Sequence, residues 1–224
     1  MIRISKIYSD EYQKRIKIVD CREQLVNVRD YCRNIAIKKE SPIKRMKSVL
    51  VRKTISDMLN KANSLLPKGY KLAIADGYRS IESQKKLFDE FCLELKKKHP
   101  SWKDRIKKEA SKFVSPIDVV PPHTTGGAVD VTILDKNGEE LDMGSVFGEL
   151  NIRSYTDYDK ISNIVKKNRK LLIKAMTKAG FVNYPREWWH WSYGDKCWAA
   201  VKRTDSIYRT VKFKEIDKMI KNNK

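Results

Sequence analysis

Apolar residues recur at Met46, Val49, Leu50, Ile55, Met58, Leu59, Ala62, Leu65 and Leu66. Residues 44–66 therefore carry the three-and-four spacing of an amphipathic helix, closed by Pro67 and Gly69. The apolar stretch over 70–75 is expected to be a buried strand. Ser80, with Ser83 and Gln84 behind it, can cap a second helix whose stripe is Ile81, Leu87, Phe88, Phe91 and Leu95 and which frays before Pro100. Over 128–134 the period changes to two. Val129, Val131 and Ile133 alternate with Asp130 and Thr132, so a strand there turns its aliphatic residues to a core and Asp130 into a cleft. The sequence DKNG after it, Asp135 to Gly138, predicts a reversal toward a second short strand. A long helix is expected over 158–179, ended by Gly180 in the C-terminal cap position. A short strand, 181–184, should follow it, and a final helix over 212–222 has Ile216, Met219 and Ile220 as its stripe. Upstream, the short apolar pieces 25–28 and 35–37 are candidate edge strands.

Helices set apart from short, clustered strands point to an α+β class with a small, mainly antiparallel sheet flanked by helices. At 224 residues the chain fits one domain over 1–224, with an irregular N-terminal segment over 1–43 and a basic tail or helix over 203–224. A hydrophobic content of 41% is that of a globular protein, and no run of about 18 apolar residues marks a membrane span. Charges interrupt the N-terminal stretch MIRISKIYSDEYQKR where a signal peptide needs apolar residues, so the expected location is cytoplasmic. The net charge of +20 raises nucleic acid as a partner. The lysines are interleaved with acids, as in KKLFDEFCLELKKKHP and DRIKKEASK, which is the pattern of a solvated helix face and not of a nucleic-acid surface. Attraction to an anionic wall polymer, or a lysine-rich source, accounts for the charge equally well. Cys21, Cys32, Cys92 and Cys197 are widely scattered without a CxxC pair and are expected to be free thiols.

The candidate chemistry lies in two cassettes, PPHTTGGAVDVTI and PREWWHWSYGD. They contain His123, Asp130 and His190; the only other histidine is His99. Two imidazoles and a carboxylate are a common ligand set for catalytic zinc, leaving a fourth position for water, whose pKa the metal lowers to about 7. Glu187, three residues before His190, is placed to act as the base for that water. Gly126 and Gly127 allow a tight turn, so that a loop histidine and a strand aspartate converge on one ion. Each residue alone has a plain structural explanation: a loop histidine, a surface strand aspartate, a histidine packed in an aromatic cluster. A regular strand over 187–192 would put Glu187 and His190 on opposite faces, so the backbone is expected to bend near Trp188. Trp188, Trp189 and Trp191 are expected in the core or the cleft wall.

A third cassette, ADGYRS (Ala75 to Ser80), precedes these two. In that order, over roughly 72–199, the chain resembles the zinc D-alanyl-D-alanine dipeptidases of the vancomycin-resistance type, within a wider family of D,D-carboxypeptidases and endolysins. The resemblance implies one zinc ion per chain on His123, Asp130 and His190, with Glu187 as catalytic base. It also implies that Arg79, otherwise a helix-flanking surface arginine, polarises the scissile carbonyl. The implied substrate is a small D-amino-acid peptide or a peptidoglycan peptide. The chain departs from the dipeptidase pattern where an aspartate that helps hold the substrate's amino end should follow MGSVF; Gly148 stands there, with Glu149 beside it. Pro121 and Pro122 replace serines, and the tyrosine-bearing segment expected before the first long helix is not recognisable in IAIKKESPIKRM. The expected activity is zinc-dependent hydrolysis of D-alanyl-D-alanine, the alternative being a D,D-carboxypeptidase or endolysin-like peptidase on longer wall peptides. A non-catalytic wall-binding module on the same fold is disfavoured by the intact Glu187 and Arg79.

Overall fold

The computed structural model describes residues 7–38 and 49–216. In chain order these form α1 (Asp10–Arg15), β1 (Leu25–Asn27), α2 (Val28–Tyr31), β2 (Ala36–Ile37), β3 (Leu50–Arg52), α3 (Lys53–Ser64), β4 (Lys71–Asp76) and α4 (Ile81–Lys98). They continue through α5 (Arg105–Ala110), α6 (Pro122–Thr125), β5 (Ala128–Leu134), α7 (Asn163–Ala179), β6 (Val182–Asn183), β7 (His190–Ser192) and α8 (Lys196–Lys202). No helix among the described residues is long and apolar enough to cross a membrane.

The five-stranded sheet runs β2-β4-β5-β7-β6. All its pairings are antiparallel except that of the edge strand β2 with β4. Period two explains β5: Val129, Val131 and Ile133 join Leu72 and Ile74 of β4 in one buried cluster with Ile55, Met58, Leu59 and Ala62 of α3 and Leu172, Ala175, Met176 and Ala179 of α7. The two helices thus cover one face of the sheet. The opposite face carries Asp130. At the DKNG turn, Gly138 N–H donates to Asp135 C=O at 3.0 Å and Leu141 N–H returns to Ile133 C=O at 2.9 Å, the reversal the sequence suggested, but the returning segment forms only an isolated bridge, Glu140 with Leu134, in place of the expected second strand. Ser80 caps α4 by accepting from Ser83 N–H at 3.2 Å. Lys85–Asp89 and Glu94–Lys98 pair one turn apart along α4, each at 2.6 Å, which is the solvated helix face expected there.

Several boundaries differ from the sequence expectation. The helix expected over 44–66 begins only at Lys53; residues 44–48 lie outside the described residues, and Leu50–Arg52 is a strand paired antiparallel with Leu25–Asn27. Val49 and Leu50 fit the helical spacing, but the partner strand about 25 residues upstream takes Leu50 and Val51, and a β-branched valine suits the strand. The helix expected over 158–179 starts at Asn163, because Ser162 takes an extended conformation and accepts from Val165 N–H at 3.3 Å. It ends as expected at Gly180, whose φ of 112° is left-handed. The strand expected over 181–184 shortens to Val182–Asn183. Of the helix expected over 212–222, residues 213–216 are helical, and the remainder lies outside the described residues.

Candidate active site

His123 does not sit in a loop, as the sequence suggested, but in the single turn of α6, where Pro122 occupies the first helical position and needs no donor of its own. The residue before the two prolines, Val120, holds φ at 60°, a left-handed conformation that a β-branched residue adopts at a cost of ~1–3 kcal/mol. Gly126 ends α6 with φ of 73°. Gly127 is required for a different reason: a Cβ there would lie 2.5 Å from the carbonyl oxygen of Tyr193. The chain can then enter β5 and place Asp130 opposite His190 of β7, its partner in the ladder. β4 shifts register between Ile74 and Asp76, so that Asp76 pairs with Asp130 and the DGYR turn leaves the sheet beside the histidines.

The ring nitrogens and carboxylate converge. His190 Nδ1 lies 3.0 Å from Asp130 Oδ1, His123 Nε2 lies 3.1 Å from His190 Nδ1, and His123 Nε2 lies 3.3 Å from Asp130 Oδ1. All three residues are buried, and among the described residues they form the one group of histidine, cysteine or acid side chains whose spacing suits a metal ion. Ligands about 2.0–2.1 Å from a tetrahedral ion stand about 3.3 Å apart, so this triangle fits zinc. The tautomers agree. His123 Nδ1 bonds the Gly77 carbonyl at 2.8 Å and carries a proton there, so in the neutral ring the lone pair is on Nε2, facing the other two donors. Burial disfavours charge on Asp130, but the two adjacent histidines outweigh it and hold the carboxyl well below the usual carboxylate range.

Glu187 joins them because the chain bends at Trp188, as expected. His190 N–H donates to Glu187 C=O at 3.2 Å, closing a turn that ends where β7 begins, and Glu187 Oε2 comes within 3.9 Å of His190 Nδ1. Burial first, then the negative charge of Asp130, pushes the Glu187 carboxyl up to about 8. Arg79 is not a free surface residue. Its Nε donates to Asp76 Oδ2 at 3.2 Å, one terminal nitrogen forms a salt bridge to the same oxygen, and the other donates to Gln84 Oε1 at 2.8 Å. Gln84 is fixed in turn by donating to Ser115 C=O at 2.7 Å. Three of the five guanidinium N–H groups are thereby used, leaving two for a ligand.

Arg79, His123, Asp130, Glu187 and His190 all line one cavity of about 380 Å³. Trp189 forms part of its wall, while Trp188 and Trp191 are packed in the core. Gly148 also lines it, whereas the Glu149 carboxylate turns into its own loop, accepting from Val146 N–H at 3.0 Å and from Asn151 Nδ2 at 2.7 Å. His99 is elsewhere, stacked 3.7 Å from the ring of Trp102. The four cysteines are free thiols, as expected, and Cys197 reaches the cavity wall. Sequence reasoning missed Asp76, Gln84 and the N-terminal residues Tyr8, Asp10 and Gln13, which line the cavity as well. Asp76 was visible in the DGYR cassette; nothing in the sequence placed residues 8–13 against a site more than 100 positions away.

The family model described as D-Ala-D-Ala dipeptidase matches residues 19–210. The chain belongs to that family. It is 31% identical over 154 residues to a D-alanyl-D-alanine dipeptidase of Synechocystis sp., covering 58% of this chain and 62% of that one. It is 32% identical over 122 residues to the D-alanyl-D-alanine dipeptidase of Escherichia coli, covering 54% of each. A third D-alanyl-D-alanine dipeptidase, from Enterococcus faecium, is 31% identical over 150 residues, covering 63% of this chain and 72% of that one. The chain thus spans somewhat over half the length of the first two relatives. All five residues of the D-Ala-D-Ala dipeptidase cassettes singled out above fall inside the matched segment.

Proposed function

We propose that this chain is a zinc peptidase that hydrolyses D-alanyl-D-alanine in peptidoglycan metabolism, with one zinc ion per chain on His123 Nε2, Asp130 Oδ1 and His190 Nδ1. The observation that carries this reading is the triangle of donor atoms at 3.0, 3.1 and 3.3 Å in the cavity that also holds Glu187 and Arg79. Zinc bound there supplies a Lewis acid for the scissile carbonyl and lowers the pKa of a water. Glu187 accepts a proton from the attacking water and returns it to the leaving amine, a task typically worth about 10²–10⁴ in rate. Arg79, held by Asp76 and Gln84, directs its two remaining N–H groups at the carbonyl oxygen as negative charge grows on it. The buried ring of Trp189 shields the site from bulk water.

A second reading, a D,D-carboxypeptidase or endolysin-like peptidase on longer wall peptides, is favoured by one observation: Gly148 offers no side chain, and Glu149 is engaged within its loop. The test is zinc-reconstituted protein assayed for D-alanine release from D-Ala-D-Ala and from a pentapeptide ending in D-Ala-D-Ala. Release from the dipeptide supports the first reading, and release from the pentapeptide alone supports the second. Release from neither rejects both.

A further inference from the structure

The sequence of α7, NIVKKNRKLLIKAMTKA, holds no acid. Val165, Leu172, Ala175, Met176 and Ala179 turn one side of the helix into the protein, and its single arginine, Arg169, is buried and donates to the Met143 and Arg153 carbonyls at 2.7 and 2.8 Å. Lys166, Lys170, Lys174 and Lys178 recur at every fourth residue on the other side, joined by Lys167, and all five are exposed. At about 100° per residue they fall within an arc of about 120°, and at 1.5 Å per residue the row is about 18 Å long with a charge every ~6 Å. Like charges one turn apart repel. On α4 that repulsion is relieved, because Lys85, Lys86 and Lys98 pair with Asp89, Glu90 and Glu94. On α7 it is not: among the described residues no ion pair engages any of the five lysines.

We propose that this face of α7 is a docking surface for a linear polyanion, a phosphodiester polymer without bases, of the polyol-phosphate kind carried by cell walls. Lysine presents a compact point charge suited to phosphate, and a straight row of lysines complements a chain of phosphodiesters laid along the helix. The face does not provide for base recognition. Its other exposed residues are Asn163, Ile164 and Thr177, so it has neither an aromatic ring on which a base could stack nor an arginine to read a base edge. The position fits as well: α7 and α3 cover the sheet face opposite Asp130, so a polymer held on α7 leaves the cavity with Arg79 and Glu187 free for a peptide. The docking surface goes beyond the peptidase reading and needs none of its chemistry.

Binding of the full chain is measured by fluorescence anisotropy with labelled poly(glycerol phosphate) and, in a second arm, with single-stranded DNA of the same number of phosphates, each over a range of salt concentrations. An α7 variant carrying Lys166→Gln, Lys170→Gln, Lys174→Gln and Lys178→Gln is compared with an α4 variant of the same charge change, Lys85→Gln, Lys86→Gln, Lys97→Gln and Lys98→Gln. Wild type should bind the polymer more tightly as salt falls. The α7 variant should lose about tenfold or more in affinity at low salt, and its slope of log affinity against log salt should shrink by about 3, since each phosphate contact contributes ~0.7 on a single strand. The α4 variant should stay within threefold of wild type. The thermal midpoint of the α7 variant should hold or rise, because repelling charges have been removed from an exposed face. Equal losses in the two variants would overturn the docking surface, since net charge alone would then govern binding, as would a wild type with no salt-dependent binding. Tighter binding of the DNA than of the polymer would overturn the choice of partner in favour of nucleic acid. None of these readouts requires turnover, so failure of the docking surface and failure of the peptidase reading are told apart.

Discussion

Glu187 Oε2 lies 3.9 Å from His190 Nδ1 because the Glu187 carbonyl accepts the His190 N–H and folds the two intervening residues, Trp188 and Trp189, into a turn. The carboxylate is therefore placed by a backbone turn, and it lies beside the proposed ligand set without belonging to it. Glu187→Gln should keep its zinc, measured by elemental analysis, while hydrolysis falls by about 10²–10⁴, since an amide cannot take the proton that the carboxylate exchanges. His123→Ala or His190→Ala should instead lose the metal itself. Activity of Glu187→Gln within threefold of wild type removes the base role.

The raised carboxyl has a consequence for the metal-free protein. Glu187 holds its proton up to about 8 in the folded chain, against an ordinary value of 4.5, so folding binds a proton between those limits. The stability from that protonation is fully present below about pH 4.5 and is lost as pH rises through about 8. Urea unfolding of metal-free protein at pH 5 and pH 9 should show wild type losing more stability than Glu187→Gln, by an amount on the order of a few kcal/mol. Equal losses in the two proteins would show that the carboxyl titrates normally.

Arg79 owes its direction to Asp76 and Gln84, and its contribution should be lost with either the guanidinium or its support. Arg79→Ala should lower kcat by about 10²–10³ with zinc retained. Asp76→Asn should have a smaller effect in the same direction, since Gln84 still holds one terminal nitrogen. An unchanged kcat in Arg79→Ala would return Arg79 to a structural role at the cavity wall.

Much of this site was legible in the chain because it is written in local periodicities. Period two over Ala128–Leu134 assigned Asp130 to the face away from the core, and the same period made the bend at Trp188 necessary before Glu187 and His190 could meet. What was not legible depends on partners far away in sequence. Leu50–Arg52 continues the helical spacing of α3 and becomes a strand only because Leu25–Asn27 lies beside it. Arg52, 1% exposed, then donates to Thr125 C=O at 2.7 Å and so secures the turn carrying His123. Arg79 owed its expected role to the DGYR cassette's resemblance and not to any local pattern, because the register shift in β4 that aims this turn inward depends on the pairing with β5. Residues 8–13 reach the cavity through contacts such as Lys196 Nζ to Gln13 C=O at 2.8 Å, which no local pattern encodes.

The last prediction concerns how the amino end of a substrate is held. A free ammonium entering a partly desolvated cleft needs a carboxylate partner or costs several kcal/mol. Gly148 provides none, and the Glu149 carboxylate already accepts from Val146 N–H and Asn151 Nδ2, with Arg153 3.9 Å away. Using Glu149 as an anchor would break those loop bonds. The preference for D-Ala-D-Ala over its N-acetylated form, expressed as a ratio of kcat/KM, should therefore stay below about 10³, which corresponds to about 4 kcal/mol of discrimination. Glu149→Gln should leave the ratio within threefold of wild type, because the carboxylate faces its own loop. A ratio above 10³ that Glu149→Gln abolishes would mean that the loop opens to present Glu149 to the substrate; a ratio above 10³ that survives the substitution would place the anchor on another acid of the cavity wall.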